Sequence, residues 1–246
     1  MATLFISDVH VGAGNPLAGP LLIKLLDGTH GRIDALYILG DLFDAWIGDD
    51  DERPPHGDVC AALRRITQSG IPVNVVHGNH DFLIGEDFAN NTGCTLIGDP
   101  DVIDLYGQSV AVCHGDHLCT DDAEYQAWRQ YSRNPDNQKA FLGLPFEVRL
   151  QQAAALKLKS SEATKLKAED IMDVNESTVV EAFASLGVSV MIHGHTHRPN
   201  VHLYEYERGT RTRYVLGDWY EQSHVLVFKP NGEPKVLSAL EALAQI

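Results

Sequence analysis

The sequence predicts an α/β protein in which a buried, largely parallel sheet is joined by a second sheet and carries a helical insertion. Three observations predict it. Short apolar runs ending in polar clusters alternate with helix-spaced stretches in the first half of the chain; further strand-like runs follow with little helix between them; and one long segment is rich in helix formers.

The first strands are the runs at residues 4–6, 35–39 and 73–76, which lead into Asp8, Asp41 and Asn79. Each is short and, Asn74 apart, apolar, as a strand covered on both faces is expected to be. Between them, residues 21–26 and 59–66 place apolar side chains at helical spacing. A strand, helix, strand succession brings the chain back to the same end of the sheet, so these strands pair in parallel. The runs at 102–105, 110–113, 190–192, 214–216 and 225–228 read as strands of the second sheet. From Cys119 to about Asn175 the chain is mostly helix-forming, clearest in the Ala, Leu and Lys of residues 151–167. This segment is expected to be a helical cap over the strand ends, inserted in a single domain spanning residues 1–246.

Apolar residues make up 44% of the chain and charged ones 22%, an ordinary globular balance that argues against disorder. With 34 acidic and 19 basic residues the formal charge is −15, which opposes a nucleic-acid backbone and fits a carboxylate cluster neutralised by divalent metal. The four cysteines, Cys60, Cys94, Cys113 and Cys119, form no CxxC pair and suggest reduced thiols in a cytoplasmic protein. Residues 1–8 carry neither the basic start nor the long apolar run of a secretory signal. No apolar stretch is long enough to span a bilayer, so any membrane relation is expected to be peripheral.

Five motifs carry the chemistry: Asp8-Val9-His10, Gly40-Asp41-Leu42-Phe43-Asp44, Gly78-Asn79-His80-Asp81, His114-Gly115-Asp116 and Gly194-His195-Thr196-His197. Alone, an Asp-x-His could cap a helix, Gly-Asp or Gly-Asn could make a turn, and His114 could be a satisfied strand-end histidine. Together, each follows a strand-like run and stands where open α/β sheets gather their ligands. Asp-x-His and His-x-His are expected to use extended backbone, which turns residues two apart to the same side. Carboxylate, amide and imidazole donors without paired thiolates suit divalent ions such as Mn²⁺, Fe²⁺ or Zn²⁺, with Mn²⁺ the leading expectation. Glycines before Asp41, Asn79 and His195 permit close backbone approach.

This ordered set resembles the calcineurin-like metallophosphoesterase superfamily. The resemblance implies a four-layer α/β/β/α sandwich and two metal ions. One ion would take Asp8, His10, Asp41 and His197, the other Asp41, Asn79, His114 and His195, with Asp41 bridging.

Residues 34–43, 45–50, 118–123 and 192–199 are similar to the UDP-2,3-diacylglucosamine hydrolase family of lipid A synthesis, over nearly the whole chain. That resemblance implies hydrolysis of the pyrophosphate of UDP-2,3-diacylglucosamine to UMP and 2,3-diacylglucosamine 1-phosphate. It further implies a peripheral enzyme on the cytoplasmic side of the bacterial inner membrane, without nucleic acid and without an obligate protein partner. Catalytic roles would fall to Asp41, His80 and His195. Lys157, Ser160, Thr164 and Lys167 are spaced along one helical face, which spacing alone reads as a solvated surface. The family resemblance instead makes them substrate contacts, together with Asn79, His80, Asp122, Tyr125 and His195. Trp46, Phe82, Phe141 and Leu142 are candidates to line an acyl pocket.

The chain departs from the family at four places: His80 stands for a usual Arg, Thr164 for Asn, Asp44 for Glu and Lys157 for Arg. His80 matters most, because a histidine there can donate a proton to a poor leaving group, which a sugar 1-phosphate does not require. Two other readings therefore stand beside the first: a related metallophosphoesterase acting on another nucleotide or phosphoester, and a non-catalytic lipid or nucleotide binder. The complete ligand set speaks against the binder.

Overall fold

The computed structural model describes residues 1–167, 169–206 and 209–246, with the backbone alone at 161–166, 169 and 170. Strands β1 (Thr3–Ile6), β2 (Ala35–Leu39), β3 (Val73–Val76) and β4 (Thr95–Leu96) pair in parallel, and α1 (Ala18–Gly28), α2 (His56–Gln68) and α3 (Glu86–Thr92) make the crossovers. A hairpin of β5 (Asp101–Leu105) and β6 (Gln108–Val112) follows, turning at Tyr106 and Gly107, both at positive φ. The expected helical segment is α4 (Ala123–Ser132), α5 (Pro135–Leu142), α6 (Phe146–Leu166) and a 3₁₀ turn at Glu169–Met172. The chain then forms α7 (Glu176–Leu186), β7 (Val190–His193), β8 (Asn200–Tyr206), β9 (Gly209–Val215), β10 (His224–Phe228), β11 (Lys235–Ser238) and α8 (Ala239–Gln245).

The strands make two sheets, ordered β11-β10-β1-β2-β3-β4 and β5-β6-β7-β9-β8. Three apolar clusters define four layers. Leu4, Ile6, Leu36 and Ile38 pack outward against Leu22, Leu26, Leu63 and Ile66 of the first helical layer. Phe5, Leu39 and Val76 point the other way and meet Val110, Val112 and Ile192 between the sheets. Ala111, Cys113 and Met191 face Val179 and Phe183 of α7. Strict alternation along each strand thus supplies two cores from one run of apolar residues.

One predicted strand changes sheets. β10 does not join the second sheet; it lies antiparallel to β1 in the first, with Phe5 opposite Leu226. An unbroken apolar run shows that both faces are covered but not by which layers, and here Val225 and Val227 enter the helix-side core while Leu226 enters the intersheet core. β8 and β11 carry weak sequence signals because both are edge strands, β8 with mostly and β11 with half-exposed side chains. The four cysteines are free thiols. Among the described residues no helix is long and apolar enough to cross a membrane.

Candidate metal centre

All five motifs leave the C-terminal ends of β1, β2, β3, β6 and β7 and converge there. The local backbone is not the extended chain expected from the x-spaced pairs. Asp8, His10, Asp41, His195 and His197 all adopt left-handed conformations, with φ between 51° and 67°. Residues other than glycine rarely do so, and such conformations persist where surrounding structure holds them. Asp8 N–H donates to Gly40 O at 3.1 Å and His10 N–H to Asp41 O at 3.0 Å, so the two loops continue the β1–β2 pairing beyond the sheet. Close approach explains the glycines: a Cβ on Gly78 would stand 2.1 Å from Asp41 Oδ1, and one on Gly194 would stand 1.9 Å from Ser7 Oγ.

Each acidic side chain is held by one oxygen and presents the other. Asp8 Oδ2 accepts from Ser7 Oγ at 2.5 Å and from His195 N–H at 2.9 Å. Its Oδ1 is buried without a hydrogen bond, 3.3 Å from His197 Nε2. Asp41 Oδ1 accepts from His80 N–H at 2.8 Å, while Oδ2 faces His10 Nε2 at 3.8 Å, His114 Nε2 at 3.7 Å and His80 Nε2 at 3.9 Å. Asn79 Oδ1 lies 2.8 Å from both His114 Nε2 and His195 Nδ1. His10 Nε2 and His197 Nε2 approach to 3.3 Å. Paired imidazole nitrogens, an orphaned carboxylate oxygen and a carboxylate aimed at three rings are a donor set that divalent cations would satisfy. Asp8, His10 and His197 offer ligand atoms within 4.8 Å of one another, as do Asp8, Asp41 and His114, and His10, Asp41 and His80.

The electrostatics agree. Burial opposes protonation of His114, but Asp41, Asp8 and Asp116 outweigh it and raise its pKa to about 9. Burial likewise works against His197, and the facing carboxylates of Asp218 and Asp8 prevail, raising it to about 10. His195 goes the other way, to about 4, through burial and the neighbouring His114 charge. His114 donates from Nδ1 to Leu39 O at 2.9 Å, which leaves Nε2 as the atom turned to Asp41 and Asn79.

Two carboxylates within the motifs, both outside the implied ligand set, hold the centre from behind. Asp81 is fully buried and accepts backbone N–H bonds from Gly78 at 2.8 Å, Leu42 at 2.7 Å and Asp41 at 3.3 Å, locking the second motif to the third. Asp116, also fully buried, accepts from Tyr125 Oη at 2.8 Å and pairs with Arg129 at 3.0 Å and Arg133 at 3.4 Å, which ties α4 to the fourth motif. Their only sequence signal was membership in the motifs.

Several of the expected substrate contacts are linked to this cradle. Tyr125 lays its ring 5.6 Å from that of His195. Asp122 caps α4 through Tyr125 N–H at 3.0 Å and takes Lys167 Nζ at 2.8 Å. Lys157 pairs with Asp44, and Ser160 stands exposed one turn further along α6. The side chain of Thr164 lies outside the described residues. His80 donates from Nδ1 to Asp44 O at 2.8 Å and turns Nε2 toward Asp41. Of the acyl-pocket candidates, Trp46 is core: it stacks on Phe43 at 4.6 Å and donates to Asp49. Phe82 and Phe141 are partly buried against the same core, and Leu142 is exposed.

Four layers, five strand-end motifs and a mixed Asp, Asn and His cradle define a calcineurin-like phosphoesterase, and the chain belongs to that family, whose sequence model matches residues 1–199. Curated relatives narrow the placement. The UDP-2,3-diacylglucosamine hydrolase of Serratia proteamaculans is 46% identical over 92% of this chain and 94% of that protein. Its counterparts in Yersinia pseudotuberculosis (45% identical, 95% of this chain and 98% of that protein) and Escherichia coli (46% identical, 92% and 94%) are as similar. Within the phosphoesterases the chain therefore stands among the UDP-2,3-diacylglucosamine hydrolases.

Proposed function

We propose that the protein hydrolyses the pyrophosphate of UDP-2,3-diacylglucosamine at the α-phosphorus, releasing UMP and 2,3-diacylglucosamine 1-phosphate, with two divalent ions, Mn²⁺ first among them. The observation that carries this reading is the placement of Tyr125, Asp122, Lys157 and Lys167 around the cradle, tied to it through His195, Asp44 and α4. Similarity to the named hydrolases over nearly the whole chain supports the substrate.

Asp8, His10, Asp41 and His197 would hold one ion and Asp41, Asn79, His114 and His195 the other. The ions would supply Lewis acidity, which lowers the pKa of a water and offsets charge on phosphoryl oxygens. The chain does the positioning. Asp41 Oδ2, aimed at three rings, suits a shared ligand. His80 Nε2 stands 3.9 Å from Asp41 Oδ2, where it would contact a phosphoryl oxygen. Lys157, Ser160, Thr164 and Lys167 would orient the sugar phosphate, converting binding energy into alignment of the pyrophosphate for in-line attack.

The helical segment from α4 to the 3₁₀ turn then serves as a cap over the acyl chains. Its exposed Val148, Leu156, Leu158 and Ile171 support a peripheral seat on the cytoplasmic face of the inner membrane, where a two-chain substrate resides. Purified protein with Mn²⁺ and UDP-2,3-diacylglucosamine should form UMP and the lipid product together. Absence of both, with rapid cleavage of simple phosphodiesters, would sink the proposal.

His80 favours one second reading, a phosphoesterase for substrates with poorer leaving groups. Its Nδ1 is held by Asp44 O, so a protonated ring would offer its Nε2 proton to a departing oxygen. His80→Arg separates the two: a fall in simple diester cleavage with retained lipid hydrolysis would assign His80 to the ester chemistry.

A further inference from the structure

We propose that Asp218 is a positioning residue of the metal centre, fixing His197 so that its Nε2 is presented to the ion held by Asp8. The family's sequence model ends at residue 199, and Asp218 lies beyond it, in the loop between β9 and β10. Nothing in the five motifs points to it.

The geometry is a relay of three groups. Asp218 Oδ2 stands 3.1 Å from His197 Nδ1, and the opposite ring nitrogen, Nε2, stands 3.3 Å from Asp8 Oδ1. A histidine ligand is oriented by the partner of its second nitrogen; a carboxylate there selects the tautomer and raises the basicity of the ligating atom. Within the described residues, His114 has a main-chain carbonyl in this role, Leu39 O at 2.9 Å, and His80 has Asp44 O at 2.8 Å. His197 alone of these three has a carboxylate.

The loop that carries Asp218 is itself built into the centre. Trp219 N–H donates to Asp8 O at 3.1 Å. Asn15 Nδ2 bridges Val9 O at 3.3 Å and Trp219 O at 3.2 Å, clamping the first motif to this loop. Asp218 Oδ1 accepts from Tyr220 N–H at 3.0 Å, which fixes the carboxylate's rotation and leaves Oδ2 for the histidine. The Tyr220 ring stacks at 5.6 Å on that of His10. Gly217 has no room for a side chain, since a Cβ would lie 2.4 Å from the His224 ring. Trp219 is buried in the first core, so the loop has a fixed seat independent of any ion.

The inference rests on His197 being a metal ligand and is indifferent to the lipid substrate. Its test counts Mn²⁺ bound to the 246-residue chain by electron paramagnetic resonance titration and compares wild type, Asp218→Ala, Asp218→Asn, His197→Ala and the double variant. In Asp218→Ala, one of two sites should weaken by ~10–100-fold while the other keeps its wild-type affinity. Asp218→Asn, which retains an acceptor oxygen, should recover most of the loss. The double variant should bind no more weakly than His197→Ala, because Asp218 acts through that ring. Two wild-type affinities in Asp218→Ala would overturn the proposal, as would equal weakening of both sites that Asp218→Asn does not restore. Fewer than two ions on wild type would instead refute the two-metal reading itself.

Discussion

Asp81 shows how much of the candidate metal centre is held by residues outside the candidate ligand set. It is a buried carboxylate whose bonds join the loops after β2 and β3. Asp81→Ala strands several buried N–H groups, and urea unfolding of the metal-free protein should show a loss of about 3 kcal/mol. At the centre itself, His114 and His197 are raised to about 9 and about 10 without metal, so both rings are charged at neutral pH. An ion needs the deprotonated ring. Mn²⁺ affinity should therefore climb as pH rises from 7 toward 9, and calorimetry in buffers of different ionisation enthalpy should detect release of about two protons on loading. A flat affinity across that range would contradict the ligand roles of these rings. At this scale residue type was legible and conformation was not. Asp, Asn and His at strand ends marked the candidate ligands, whereas a spacing of two fits extended and left-handed chain equally, and only the contacts around Asp8 and His197 decide between them.

Among the elements, α6 is anchored where it begins. Arg149 is 4% exposed, donates to Ile47 O and Leu144 O, pairs with Asp50 and stacks over Phe146. A buried guanidinium with this many partners fixes the first turn of α6 against the loop after β2. Arg149→Ala should raise KM for the acylated substrate by about 10-fold while leaving cleavage of a small phosphodiester near wild type, the pattern expected when binding rather than chemistry is lost. Equal loss toward both substrates would place Arg149 in the support of the metal centre instead. The helix was readable from its Ala, Leu and Lys content, but Arg149 was not: a lone arginine within a charged helix looks solvated until the fold supplies Asp50. The same holds for β10, whose apolar run declares burial without declaring a sheet.

For the molecule as a whole, the negative charge concentrates a cost at the site. Asp8, Asp41, Asp81 and Asp116 are all buried at the strand ends. Mn²⁺ bound only by the folded state should stabilise it by about 2.7 kcal/mol per site at 100 times the dissociation constant, so chelation should lower the melting temperature and Mn²⁺ restore it. An unchanged melting temperature would mean that the folded protein takes up no ion under those conditions. The strand, helix, strand frame of the first half was legible because local periodicity encodes it, while the closing of the first sheet by β10 depends on contacts that no local window contains.

That closure sets an order of events in the making of the protein. Asp8 meets His195 across 187 positions, and Asn15 meets the Trp219 carbonyl across 204. During synthesis the first ligand therefore leaves the ribosome long before the groups that orient and complete its surroundings, and β1 waits for β10 as its neighbour. A nascent chain halted before β10 would have its early carboxylates and one edge of β1 uncovered, so the candidate site reaches its final surroundings only after β10 has emerged.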